Sequence, residues 1–277
     1  MDIVIIGAGY AGILTTKKLA RRLKKLNKKE INLTIIDKNP FHTMLTELHE
    51  VAASRVDEES IKISLDKIFA GRNVNVVLDT VTSIDFENRR VIGKNKEYAY
   101  DYLVLAAGSK PTYFNVAGVA EHAFKLWSYE DAVRLRDHIH NQFRKAVAET
   151  NPDEKKKMLN FNIVGSGFTG VEMAGELAEY VPILCEKFNI DKSYVTIRNI
   201  DVLPRTCPMM PENVSKKVER RLNKMGVEVL LETNVVSVDS ESIVTEHNGT
   251  RTQVATNTVI WAAGVESADI TQKAAGV

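Results

Sequence analysis

The chain has 277 residues, 37 Lys+Arg against 36 Asp+Glu, a formal net charge of +1, 44% hydrophobic and 26% charged residues. That length carries about two domains, and the composition is that of a globular chain able to bury a core in each. The balanced charge speaks against a whole-chain field for nucleic acid or anionic membrane, and no apolar run approaches the ~18 residues of a membrane span.

Met1-Asp2 runs straight into an apolar strand, Ile3 to Ile6, with no leader pattern. A helix is expected from Ala11 to Leu26, where Ile13, Leu19, Ala20, Leu23 and Leu26 make an apolar stripe and the Lys and Arg residues between them a solvated face. Leu33 to Ile36 reads as a second strand ending at Asp37, which completes a βαβ opening. From Asn73 to Tyr102, short alternating runs (Val74 to Val77, Val81 to Phe86, Arg90 to Ile92, Glu97 to Tyr100) predict an antiparallel meander. Leu103 to Leu105 returns as a strand, and Ser128 to Glu149 as a long helix. Asn151 to Lys157 is expected to be a charged turn or linker. The plan then repeats: strand Phe161 to Val164, helix Thr169 to Phe188, strand Tyr194 to Ile197, a turn over Pro204 to Pro211 and a helix through Met225. A second meander over Val227 to Thr258 and a closing strand Val259 to Ala262 follow.

The repeat is sharpest in two motifs. Gly7-Ala8-Gly9-Tyr10-Ala11-Gly12 recurs as Gly165-Ser166-Gly167-Phe168-Thr169-Gly170, and Leu103-Val104-Leu105-Ala106-Ala107-Gly108 as Val259-Ile260-Trp261-Ala262-Ala263-Gly264. The offsets are 158 (165 − 7) and 156 (264 − 108), so two motifs keep nearly one spacing. In each G-x-G-x-x-G the first glycine permits the turn, the second lets a pyrophosphate approach the backbone, and the third lets helix and strand pack closely. The pyrophosphate is expected where free N–H groups and the helix dipole converge.

Asp37 stands where an acid can hydrogen-bond an adenosine ribose. In the second copy Arg198 is read as the residue after the strand; it would pair with a 2′-phosphate and favour NADPH, or else be a surface Arg with Asn199 or Asp201 serving the ribose. Glu172, read as lying on the first turn of the second helix, is either a helix-capping carboxylate or a group beside a nicotinamide. Cys185 and Cys207 lie far apart without C-x-x-C, which fits a reducing cytoplasm and offers no ready dithiol; no metal site is expected.

These residues resemble one family, the type II NADH dehydrogenases (NADH:quinone oxidoreductases), within the two-dinucleotide flavoproteins. The resemblance rests on Asp37-Lys38-Asn39-Pro40-Phe41-His42 with Thr46 to Ala53, on Ala107-Gly108-Ser109 with Tyr113 to Val119, and on Gly165 to Leu177. It implies an α/β fold of two tandem Rossmann-like dinucleotide-binding modules with antiparallel β-meanders, glutathione-reductase-like and C-terminally truncated. The implied domains are 1–114 (FAD-binding, incomplete), 115–264 (NAD(P)H-binding) and 265–277 (the start of a return to the FAD domain). By the same resemblance Gly7, Gly9, Tyr10, Ala11, Gly12, Asp37, Lys38, Thr46, Val81, Ala107 and Gly108 would contact FAD. Gly165, Gly167, Phe168, Thr169, Gly170, Ala263 and Gly264 would line the NAD(P)H site, and Glu172 would be the active-site glutamate; Arg198, also placed at the NAD(P)H site, departs from the acid usual at its position.

No cysteine lies between Phe41 and Val51, where disulfide reductases of the superfamily carry theirs, so electrons are expected to leave the flavin for an external acceptor. The resemblance makes that acceptor a membrane quinone, in a non-proton-pumping respiratory enzyme. It would be cytoplasmic and peripheral on the inner face of the cell membrane, with a homodimer compatible and nucleic acid not a partner. No Gly-Asp dipeptide occurs in the chain. The superfamily supplies one after the second Ala-Ala-Gly, so a flavin-pocket segment and a membrane-anchoring C-terminus are expected beyond Val277. Weak FAD binding and no quinone reductase activity are then expected of these 277 residues alone. Two other readings stay open: a soluble NAD(P)H-dependent reductase of a ferredoxin- or rubredoxin-like protein, and an inactive nucleotide-binding fragment.

Overall fold

Four consecutive branched aliphatics, Ile3-Val4-Ile5-Ile6, are the composition of a parallel strand covered on both faces. In the computed structural model, which describes residues 1–274, the strand Asp2–Ile6 lies between Asn32–Asp37 and Tyr102–Leu105, parallel to both. The fold is α/β and consists of two units. Met1–Met44, Ser60–Lys110 and the stretch from Val265 onward make the first; Leu45–Glu59 and Pro111–Gly264 make the second. By sequence, residues 45–59 fall in the first module. Its side chains instead bond within the second unit: Arg55 donates to Glu176 and Glu179, and Arg136 donates to Glu58. Of the expected return segment 265–277, the last three residues lie outside the described residues.

The first unit is a four-stranded parallel sheet with a covered face on each side. Ile3, Ile5, Leu33 and Ile35 pack against Ile13 and Ala20 of the helix Tyr10–Lys25 and against Leu65 and Phe69. Val4, Ile6 and Ile36 pack against Val91 and Tyr98 of a three-stranded antiparallel meander, Val81–Asp85, Arg90–Gly93 and Glu97–Ala99. The apolar stripe of the first helix stops short of its expected end, because Leu26 caps the helix with its side chain 51% exposed.

The second unit repeats the plan with one strand more. Its parallel sheet runs Phe124–Lys125, Thr258–Trp261, Asn160–Val164, Thr196–Ile200 and Val227–Leu230. One face carries the helix Tyr129–Ala148, where Phe143 stacks on Phe161 at 6.2 Å. That helix opens on a capping box between Ser128 and Asp131. The other face brings Val164, Ile200, Val259 and Trp261 against Val235, Val238 and Ile243 of a second antiparallel meander.

Four expectations are corrected. Asn75–Leu78 is not meander but the edge of the first parallel sheet, and Val227–Leu230 the edge of the second. A short half-buried run carries no signal of direction; the neighbour it pairs with decides. Residues 152–158 are a helix, not a turn: the Asn151 side chain accepts from Asp153 N, and Pro152 takes the first position, where its missing N–H costs nothing. The strand expected over Tyr194 to Ile197 is Thr196–Ile200. That last shift changes the reading of the site.

Candidate functional site

Each unit builds the same turn between strand and helix. Gly7 and Gly165 have φ of +98° and +106°, values that favour glycine. Each N–H donates to the end of the neighbouring strand, Gly7 to Ile36 O at 2.8 Å and Gly165 to Ile200 O at 2.7 Å. A Cβ on Gly12 or Gly170 would collide with the carbonyl oxygen of Gly7 or Gly165, so the third glycine is a packing requirement. A Cβ on Gly9 or Gly167 would meet nothing within 4 Å. That open space lies at the start of the helices Tyr10–Lys25 and Phe168–Phe188, which have no side-chain cap and no acid in the first turn. Free helix N–H groups beside a space without side chain are what a pyrophosphate needs.

An acid closes each loop. Asp37 Oδ2 accepts from Ala8 N at 2.6 Å and its Oδ1 from Asn39 N at 2.8 Å. Asp201 Oδ2 accepts from Ser166 N at 2.5 Å and its Oδ1 from Leu203 N at 2.8 Å. The second strand reaches Ile200, so Asp201 takes the place that Asp37 has in the first unit. Arg198 is therefore not the residue after the strand. It lies within it, and its guanidinium donates to Glu228 at 2.7 Å and to Asn160 at 2.9 Å.

Around the first loop Tyr10 is half exposed and meets His42 edge-on, with ring centroids 4.7 Å apart, while the His42 ring bonds Ala8 O at 3.1 Å. Ala11 and Lys38 are exposed, and Val81 borders the core that the meander covers. Ala107 borders that core too; Gly108, at φ +72°, accepts from Ala268 N. Thr46 sits in the turn Leu45–Glu47, within the segment that belongs to the second unit.

Around the second loop Phe168 is 55% exposed and Thr169 is exposed. Ala263 borders the meander-side core. Gly264 O accepts from Thr112 N, and a Cβ on Gly264 would run into the Phe114 ring. Glu172 is the fifth residue of its helix, one turn past the start, so it is not a capping group. Burial pushes its carboxyl above the ordinary range; His49 works against that, while Glu47 and Glu176 add to it. His49 Nδ1 lies 3.8 Å from Glu172 Oε2, with 13% of the His49 side chain exposed.

Both cysteines are buried and free, and burial pushes both thiols up; for Cys207 the Glu172 carboxylate adds to it. Neither is poised as a thiolate. Sequence reasoning missed the pair Ser166–Asn199 beneath the second loop and His49 beside Glu172. A Ser-Asn pair looks like ordinary loop chemistry until strand register puts it together.

Comparison with known proteins agrees with this construction. The profile of the family described as pyridine nucleotide-disulphide oxidoreductase matches residues 1–277. The chain is 32% identical over 271 residues to type II NADH:quinone oxidoreductases of Staphylococcus epidermidis and Staphylococcus aureus. These matches cover 98% of this chain and 66% of those proteins, so it spans less than two thirds of their length. Among solved structures, NDH2 from Plasmodium falciparum in complex with NADH superposes with a TM-score of 0.88 at 23% identity, over 98% of this chain and 56% of that one. A sulfide:quinone oxidoreductase from Aquifex aeolicus follows at 0.76 and 18%, over 99% and 61%. At such identities the likeness is one of fold. The duplicated loop–acid construction and the family profile lead to one placement: the chain belongs to the pyridine nucleotide-disulphide oxidoreductase family.

Proposed function

We propose that the protein holds FAD on its first unit and NADH on its second, and passes electrons from NADH to a membrane quinone. One observation carries this reading: the same glycine loop with the same acid is built twice in one chain, at Ala8–Asp37 and at Ser166–Asp201. The type II NADH:quinone oxidoreductases similar over 98% of the chain support the choice of reaction.

In this reading the loop N–H groups at Gly9 to Gly12 and Gly167 to Gly170 receive the two pyrophosphates, and Asp37 and Asp201 accept from ribose hydroxyls. Tyr10, Ala11, Lys38, Val81, Ala107 and Gly108 border the flavin nucleotide. Phe168, Thr169, Ala263 and Gly264 border the nicotinamide nucleotide. A carboxylate at Asp201 repels a 2′-phosphate, so NADH is the donor, and Arg198, held by Glu228 and Asn160, serves the strand. FAD, when bound, supplies the two-electron chemistry that joins the dinucleotide to the quinone. Glu172, with its carboxyl raised by burial, can hold or release a proton at Oε2 beside His49. A quinone acceptor is a lipid, so the protein works at the cytoplasmic face of the cell membrane; among the described residues no helix is long and apolar enough to cross it.

The test is the visible spectrum of the purified protein supplied with FAD, followed by anaerobic NADH. Flavin bands that bleach with NADH and recover on adding a short-chain quinone are expected, in place of the weak flavin binding and inactivity expected from the sequence. No bound flavin, or bands indifferent to NADH, would sink the reading. Recovery with a ferredoxin- or rubredoxin-like protein but not with quinone would move it to the protein-reducing class.

A further inference from the structure

The two loops differ in one buried pair. Beneath the first, Ala8 and Ile35 are both buried and apolar; Ile35 stands two residues before Asp37. Beneath the second, the corresponding residues are Ser166 and Asn199, two before Asp201, and both are fully buried. The Ser166 hydroxyl donates to Asn199 Oδ1 at 2.6 Å. The Asn199 Nδ2 donates to Gly165 O at 2.9 Å and reaches Ile163 O at 3.4 Å. Both ends of the amide are engaged, and its nitrogen also lies against Gly170, where a Cβ would come within 3.5 Å. The Ser166 carbonyl is tied separately, by Cys207 N at 2.7 Å.

Packing alone does not call for this pair. The first unit makes the same turn, with the same glycine collisions and the same acid, over Ala and Ile. A buried amide and hydroxyl stabilise only while all their partners are in place, and lose more than they contribute when one is missing. What they add is direction. Asn199 fixes the plane of the Gly165 carbonyl, and hence of the peptide whose N–H, at Ser166, points to Asp201. An Ile at that position has no polar atom with which to do this.

Resting on the reading of the second unit as the NADH module, we infer that Asn199, with Ser166, is a positioning residue that holds the second glycine loop in its nucleotide-receiving shape before NADH arrives. The two units face different tasks. FAD stays on its loop and helps to order it. NADH leaves as NAD⁺ at each turnover, so its loop is repeatedly empty and each binding event would bear the cost of ordering it. A loop already held in shape avoids that cost.

The test is the double variant Ser166→Ala/Asn199→Ile, which copies the apolar pair of the first unit and leaves neither polar group stranded. NADH affinity is read by isothermal titration calorimetry, the melting temperature by scanning calorimetry, and the empty loop by hydrogen exchange over residues 165–170. The double variant is expected to melt within a few degrees of the parent, to exchange faster over the loop without NADH, and to bind NADH about tenfold more weakly. Ser166→Ala alone keeps the Asn199 hold on the Gly165 carbonyl but strands Asn199 Oδ1; it is expected to melt lower than the double variant, to weaken NADH by about threefold, and covers the case in which Ile does not fit at 199. A parent chain that binds NADH and variants that bind it equally well overturn the inference, whatever happens to melting. A parent chain that takes up no NADH overturns the nucleotide assignment itself, and the inference with it.

Discussion

Asp201 accepts from Ser166 N at 2.5 Å as Asp37 accepts from Ala8 N at 2.6 Å, so the two units place a carboxylate at the same point behind the first turn of the loop. The second acid sits 164 positions after the first (201 − 37), whereas the glycine loops are 158 apart (165 − 7). The helix between loop and strand, 16 residues in the first unit and 21 in the second, accounts for five of the six extra positions, and the stretch from helix to acid for the sixth.

Asp201 is expected to select NADH. Asp201→Ala should lower kcat/KM for NADH by about tenfold through the lost charge-assisted hydrogen bonds and narrow the preference over NADPH. Arg198→Ala should leave the NADH/NADPH ratio within about twofold and cost at most about 1 kcal/mol, since its partner Glu228 is half exposed. Steady-state kinetics with both donors check this; a collapse of NADPH turnover in Arg198→Ala would return Arg198 to the phosphate.

Two glycines three residues apart should behave in opposite ways. Gly170→Ala drives a Cβ into the Gly165 carbonyl and is expected to unfold or aggregate the second unit. Gly167→Val enters open space at an ordinary φ of −72° and should fold normally. It fills the space proposed for the pyrophosphate, so NADH affinity should fall by more than about tenfold. Circular dichroism and NADH titration on the two variants separate the roles.

Glu172 should make the protein slightly less stable as pH rises. Its carboxyl titrates above the ordinary range, so the folded state holds the proton more tightly than the unfolded chain. The associated stability is fully present below the unfolded value and is lost as pH rises through the folded one. Glu172→Gln is therefore expected to melt higher than the parent at pH 7 and to match it near pH 4. Equal differences at both pH values would contradict this.

His138 gives the opposite sign. Burial, helped by Lys145 and Arg134 and opposed by a hydrogen bond with the Asn257 backbone, lowers its pKa to about 4. The folded state prefers the neutral ring, which lies 2.9 Å from the Thr258 hydroxyl. Its contribution is complete above the unfolded value of 6.5 and fades as pH falls toward about 4, up to about 3 kcal/mol. The His138 ring should remain neutral in NMR titrations down to about pH 4, and His138→Gln should flatten the acid loss of stability between those limits.

Much of this protein was legible in its residues because hard steric rules wrote it there. A turn whose third glycine touches a carbonyl admits no substitute, so both loops could be read from Gly7 to Gly12 and Gly165 to Gly170, and the doubled α/β plan from these together with the Ala-Ala-Gly strands ending at Gly108 and Gly264. Asp37 was legible for a similar reason, lying directly after a run of buried aliphatics. Its counterpart Asp201 was legible only as one alternative, beside Arg198 and Asn199. Motif spacing says nothing of how long the intervening helix is, and in Thr-Ile-Arg-Asn-Ile the polar residues disguise a strand. Only pairing in the sheet, with Asn162 opposite Arg198 and Val164 opposite Ile200, put Arg198 inside the strand and Asp201 behind it. The same pairing buried Asn199 under Ser166 and turned the 75–78 and 227–230 runs into parallel edges. Side-chain pattern determined which segments are strands and turns; strand register, a contact between residues far apart in the chain, decided which polar groups meet at the nucleotide loop.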